Sequence, residues 1–317
     1  MAIIALNIDQ ACFLFHTLKY SLKIMKKITH AVIPVAGFGT RMLPLSKSVP
    51  KELLPLGNRP AIHYVVEEAI AAGIKHIVLV GHAQKSAIEN YFDINAELDN
   101  QLRAKGKDTL ADSLTWLPED VTVSMIRQGK PLGLGHAVLA ARPIIGEHDF
   151  AVLLPDVVLD PFTTDITTDN LAFMIDAFAK DTHSQILVNN VADEDVHKYG
   201  IAQLDEAFNQ AHEIEQADKN ASFKVAGFVE KPNLVDAPSK LAVVGRYVFS
   251  NHIFDYLANT RASVGGEIQL TDAIDALISK YGVNVTTMRG DSYDAGDMRS
   301  YMQAFIYFAE QQLRDDK

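Results

Sequence analysis

A chain of 317 residues with 48% hydrophobic and 22% charged side chains has the apolar content of a globular protein, which excludes disorder as its main state. Lys plus Arg total 29 against 40 Asp plus Glu, a formal charge of -11 that argues against broad binding to nucleic acid or to an anionic membrane, so a polyanionic ligand needs a local basic site. One cysteine, Cys12, rules out an intramolecular disulfide framework and a cysteine-rich metal site, as a reducing cytoplasm permits, and no apolar run reaches the roughly 18 residues of a membrane span.

Residues 1–24, MAIIALNIDQACFLFHTLKYSLKI, are apolar first and basic afterward, the reverse of a secretory signal. Met25 is followed by KKITHAVIPVAG, which reads like a chain start. Residues 1–24 are therefore read as an extension dispensable to the core, with a docking helix as the other reading.

From there the chain alternates. Apolar, β-branched runs at 30–37 (HAVIPVAG), 75–81 (KHIVLVG), 121–128 (VTVSMIRQ) and 150–156 (FAVLLPD) predict strands. So do 184–191 (SQILVNNV), 224–231 (KVAGFVEK), 240–249 (KLAVVGRYVF) and 283–288 (VNVTTM). Helical periods fall between them at 61–73, 83–92, 134–145, 170–180 and 267–282, and a last helix from Met298 to Leu313 is expected to bury Tyr301, Phe305 and Phe308 on one stripe. The expected fold class is α/β: a Rossmann-like, mostly parallel mixed sheet with helices on both faces. No linker or repeat divides residues 25–317, which are read as one domain, with 204–220 an exposed hairpin insertion.

The stretch after the first strand carries Gly37, Gly39, Arg41 and Lys51. A glycine turn leaving a strand can aim backbone N–H groups at a phosphate or a base, because glycine lets a ligand approach the main chain. The dinucleotide fingerprint fails at Met42, where it needs a third glycine, and the P-loop ending is absent. A tight turn with solvated cations remains one reading. Arg41 and Lys51 favour the other, since they supply the charge a triphosphate requires.

The pattern G-x-G-T-R-x-x-P over residues 37–44, with PKELLP at 50–55, resembles the signature of the sugar-nucleotide pyrophosphorylases. RQGKPLGLGHAV (127–138), LLPDVVLD (153–160), KYGIA (198–202), VAGFVEKP (225–232), VVGRYVF (243–249), GGEIQLTDAI (265–274) and YDAGD (293–297) follow in the family's order, most similar to its uridylyltransferase branch. The resemblance implies that UTP and glucose 1-phosphate give UDP-glucose and pyrophosphate with Mg²⁺, in a cytoplasmic homo-oligomer that binds no nucleic acid or membrane. It assigns Arg41, Lys51 and Lys231 to catalysis, and Ala36, Gly37, Gly39, Thr40, Gln128 and Gly133 to the nucleotide. Gly200, Glu230 and Lys231 fall to the sugar phosphate, and Asp156 and Asp294 to the metal. A thymidylyl- or adenylyltransferase of the same fold, or a nucleotide-binding regulator without turnover, are the competing readings. His136, near a helix start, is read as packing, and Asp160 and Asp297 as structural.

Overall fold

The computed structural model describes residues 27–205, 221–263 and 265–315; the expectations for residues 1–24 and nearly all of those for 204–220 lie outside them. The strands are β1 (His30–Pro34), β2 (Pro55–Leu56), β3 (Arg59–Pro60), β4 (His76–Gly81), β5 (Thr122–Arg127), β6 (Phe150–Leu153), β7 (Val157–Leu159), β8 (Ser184–Asn190), β9 (Gly200–Leu204), β10 (Ser222–Glu230), β11 (Leu241–Phe249), β12 (Val283–Thr287) and β13 (Ser292–Asp294). The helices are α1 (Ala61–Ala71), α2 (Ser86–Phe92), α3 (Ala96–Ala104), α4 (Asp108–Asp112), α5 (Leu134–Ala140), α6 (Arg142–Ile145), α7 (Leu171–Asp181), α8 (Ile253–Asn259), α9 (Leu270–Tyr281) and α10 (Met298–Asp315).

Nine strands form one sheet in the order β5-β4-β1-β6-β11-β8-β12-β10-β9. β5, β4, β1 and β6 are parallel neighbours, and β8 pairs parallel with β12. β10 and β11 run against the rest, so the sheet is mixed although most strands share a direction.

Successive residues of a strand face opposite sides of its sheet, so strands that are apolar throughout must be covered twice. Ala31, Ile33, Ile77 and Leu79 pack on one side with Ile62 and Val65 of α1, Met174 of α7 and Phe308 of α10. Val32, Val78 and Val80 pack on the other with Val138 of α5, Phe254 of α8 and Ile274 of α9. Burying each large apolar side chain stabilises the fold by roughly 1.5–3 kcal/mol, and these two layers hold the sheet edge in place.

Two expectations are corrected. The buried stripe of α10 centres on Ala304 and Phe308, while Phe305 is 37% exposed because its position lies past the edge of that face. β1 and β6 end three residues earlier than expected, at Pro34 and Leu153, where the chain leaves the ladder. These early exits matter for function. They release residues 35–54 and 154–156 beyond the carboxyl ends of parallel strands, where open α/β sheets bind ligands.

Candidate active site

The glycine turn, Gln128 and Asp156 lie along one edge of the sheet because β1, β5 and β6 run parallel and each ends there. Gly39 takes φ +64°, a left-handed conformation suited to glycine, and a Cβ there would lie 3.2 Å from Ser46 Cβ. Ser46 Oγ donates to the Gly39 carbonyl at 2.7 Å, which closes the loop over Thr40 and Arg41. Ala36 and Phe38 line a recess with His82, Gln84, Arg127 and Gln128. Gly37 has open space where a side chain would stand, so a ligand can reach its backbone.

Asp156 and Asp294 come together through a small antiparallel ladder in which Asp294 pairs with Val157. The Ala295 N–H donates to the Asp156 carbonyl at 2.7 Å, and the Gly296 N–H donates to Asp294 Oδ1 at 2.5 Å. A Cβ built on Gly296 would stand 2.8 Å from Asp294 Oδ1, 3.0 Å from Arg41 Nη2 and 3.2 Å from Asp156 Oδ2. Two carboxylates and a guanidinium therefore converge on one point. Lys51 Nζ closes the group at 2.6 Å from Asp156 Oδ2.

The two acids are held differently. Burial acts to raise the pKa of Asp156, but the Lys51 ammonium and its hydrogen bond, with Arg41 behind, bring it below the usual carboxylate range. Asp294 is pushed up, first by burial and then by the charge of Asp156, against the pull of the Gly296 N–H and Arg41. Among the described residues no group of three or more His, Cys, Asp or Glu is arranged to enclose a metal. Two carboxylates facing open space nevertheless suit Mg²⁺, which takes one or two of them and completes its shell with waters and phosphate oxygens.

A cleft of about 760 Å³ runs from Arg41, Asp156 and Asp294 to Gly200, Glu230, Lys231, Gly245 and Tyr247. β9 pairs with β10 and also touches β11 at Ile201–Ala242, which returns that edge to the middle of the sheet. Glu230 pairs with Gly200 across this ladder, and a Cβ on Gly200 would be 3.2 Å from Glu230 Oε2. Lys231 Nζ lies 3.3 Å from Glu230 Oε1, and the residue's φ of +46° turns the chain out of the strand. The acid pair and this polar end thus open into one cleft, which Leu134, next to Gly133, also lines.

The nucleotidyl transferase family profile matches residues 30–311. The chain belongs to the nucleotidyl transferase family. The UTP–glucose-1-phosphate uridylyltransferase of Haemophilus influenzae is 49% identical over 279 residues, 88% of this chain and 92% of that one. The UTP-bound UGPase of Acinetobacter baumannii is 44% identical with TM-score 0.79, covering 89% of this chain and 93% of that one. A UDP-glucose pyrophosphorylase solved with UDP-glucose is 32% identical with TM-score 0.75, covering 90% and 99%.

This nucleotidyl transferase carries supports that sequence reasoning missed. Arg246 is fully buried and grips Glu68 through Nε and Nη2, while its Nη1 and Nη2 donate to the carbonyls of Leu154 and Val157 on either side of Asp156. Lys85 and Glu52 form a second buried pair at 2.8 Å that anchors the turn after Lys51. Neither pair has a sequence signal, because the partners lie far apart and each charged residue alone reads as surface. Asp160 is buried and accepts from Tyr307 Oη and the Phe162 N–H. Asp297 accepts from the Arg299 and Ser300 N–H groups at the start of α10. Asp272 lies in the first turn of α9, and Glu267 is exposed just before it.

Proposed function

We propose that this chain is a UTP:glucose-1-phosphate uridylyltransferase, forming UDP-glucose and pyrophosphate. The observation that carries this reading is the convergence of Asp156, Asp294, Arg41 and Lys51 at the head of a cleft whose other end presents Glu230 and Lys231.

Two anionic reactants must meet, and two like charges about 4 Å apart repel by about 4 kcal/mol at an intermediate dielectric. The reaction therefore calls for cations rather than for a base. An oxygen of the sugar phosphate, already ionised at neutral pH, attacks the α-phosphorus of UTP. The bond from that phosphorus to the bridging oxygen breaks, and its electron pair leaves with pyrophosphate.

Arg41 and Lys51 hold the triphosphate and offset charge on the departing group, a kind of stabilisation that is commonly a large catalytic term. The turn at Ala36, Gly37, Gly39 and Thr40 supplies backbone donors, and Gln128 with Gly133 meets the uracil edge. Lys231 pairs with the sugar phosphate, Glu230 accepts from glucose hydroxyls, and Gly200 lets them approach the main chain. Asp156 and Asp294 would hold Mg²⁺, which supplies charge neutralisation between the two phosphates. Residues 25–317 act as one catalytic unit, in a cytoplasmic homo-oligomer; a monomer mass by light scattering would contradict the last point.

Pyrophosphate release is the test, with UTP, dTTP, CTP and ATP each offered with glucose 1-phosphate, with and without Mg²⁺. UTP is expected to be used best and only with the metal. Faster turnover of dTTP or ATP would move the chain to another specificity, and release independent of metal would overturn the role of the acid pair.

A further inference from the structure

The side chain of Gln128 is held in one orientation by two partners on the segment that follows it. Its Nε2 donates to the Gly133 carbonyl at 3.1 Å and lies 3.0 Å from His136 Nδ1. An amide nitrogen is only a donor, so His136 Nδ1 is the acceptor and the ring proton sits on Nε2. Both N–H bonds of the amide are thereby engaged. A flipped amide would set Oε1 against the Gly133 carbonyl, two acceptors in contact. Gln128 is 7% exposed, and it lines the recess formed with Ala36 and Phe38. With both N–H bonds engaged, the only group its amide has left for a ligand in that recess is the carbonyl oxygen.

The two acceptors are themselves fixed. Gly133 takes φ +89°, and a Cβ there would lie 2.8 Å from Glu267 Cβ. The Gly135 N–H donates to the Ile268 carbonyl at 2.9 Å, and the Ile268 N–H donates to the Leu132 carbonyl at 2.8 Å, clamping the start of α5. The Gln128 N–H donates to the Gly81 carbonyl at 2.8 Å, which continues the β4–β5 ladder beneath it.

We infer that His136 is a positioning residue for pyrimidine selection: by accepting from Gln128 Nε2 it keeps Oε1 facing the base, where uracil can donate its N3–H and cytosine cannot. Cytosine has a lone pair at N3, so its edge would meet Oε1 acceptor to acceptor. A site built around one hydrogen bond rejects an analogue that leaves its buried polar group unpaired far more strongly than it rejects a change in size. His136 never touches the base in this scheme; it acts through Gln128. The inference rests on the placement of the base beside Gln128 in the proposed function.

The experiment measures kcat/KM for UTP and for CTP with saturating glucose 1-phosphate and Mg²⁺. It compares the wild-type chain, Gln128→Ala, His136→Leu, His136→Phe and His136→Asn, with circular dichroism as a folding check. Leu and Phe lack an acceptor; Asn places its carbonyl oxygen near the position of Nδ1. His136→Leu or His136→Phe, whichever folds, is expected to lower the UTP-to-CTP ratio about tenfold, through KM for UTP more than through kcat. His136→Asn is expected to return the ratio to within about threefold of wild type. An unchanged ratio in the Leu or Phe variant, or an Asn variant as impaired as they are, would overturn the inference. If Gln128→Ala leaves KM for UTP unchanged, the base is not read there and the placement fails instead.

Discussion

Lys51 and Asp156, 105 residues apart in sequence, are joined by a contact of 2.6 Å between Nζ and Oδ2. This pair places a cation from the turn after β1 against an acid from the loop after β6. A ligand with negative oxygens and a metal ion would find both halves of its complement there. The expected result of Asp156→Asn is a loss of turnover of about a hundredfold or more, the scale seen when a charged group of a reactive site is removed. Far-UV circular dichroism should stay near wild type, since this side chain is not part of either apolar layer; loss of the spectrum would contradict the assignment.

Arg246 and Glu68 carry a different burden. Removing one partner of a buried pair leaves a charge without compensation and costs about 3–5 kcal/mol. Arg246→Met should therefore lower the urea midpoint sharply, and Arg246→Met with Glu68→Leu should cost less than the sum of the single changes. A loss below about 1 kcal/mol in the single variant would contradict this account, because such a value belongs to exposed pairs.

What the sequence revealed and what it hid follow from range. β1, β4, β5, β6, β8, β10, β11 and β12 were legible because each is rich in apolar or β-branched residues, and α1, α7 and α9 because Leu270, Ala273, Ile274 and Leu277 and their counterparts repeat at helical spacing. β2, β3, β7 and β13 have two or three residues and no pattern of their own, yet β7 with β13 is the ladder that joins Asp156 to Asp294. The candidate site was legible through motif order, which named its residues but not their contacts. His136 shows the gap: its spacing on a helix suggests packing, and only the fold reveals its bond to Gln128.

Gly133 should tolerate no side chain. Gly133→Ala would combine φ +89° with contacts of 2.8 Å to Glu267 Cβ and 3.1 Å to the Ile268 carbonyl. Strain of this kind costs about 1–3 kcal/mol. The expected outcome is a lower melting temperature together with a raised KM for UTP; normal values of both would show that the loop can relax without consequence.

Stability should also fall on acidification above the carboxylate range. His30 is lowered to about 4 by burial and then by His148 and His76, on which it stacks at 4.0 and 4.6 Å. His63, against Trp116 and bonded to Tyr91 Oη, is lowered to about 4 by burial and then by Arg59. An unfolded histidine titrates near 6.5, so between about 6.5 and 4 the unfolded state binds more protons and folding weakens as pH falls. Urea unfolding at pH 7.5 and 5.0 should show this loss, and His63→Phe should show a smaller one. An equal loss in both proteins would remove His63 from the explanation.

In the proposed reaction the sugar nucleotide and a divalent ion meet between Asp156 and Asp294. Anomalous scattering from a crystal grown with UDP-glucose and Mn²⁺ in place of Mg²⁺ tests it most directly. The predicted result is one manganese peak within about 2.5 Å of an oxygen of each aspartate and of a phosphate oxygen, with the uracil beside Gln128. A nucleotide bound elsewhere, or a peak that touches neither carboxylate, would contradict the claim.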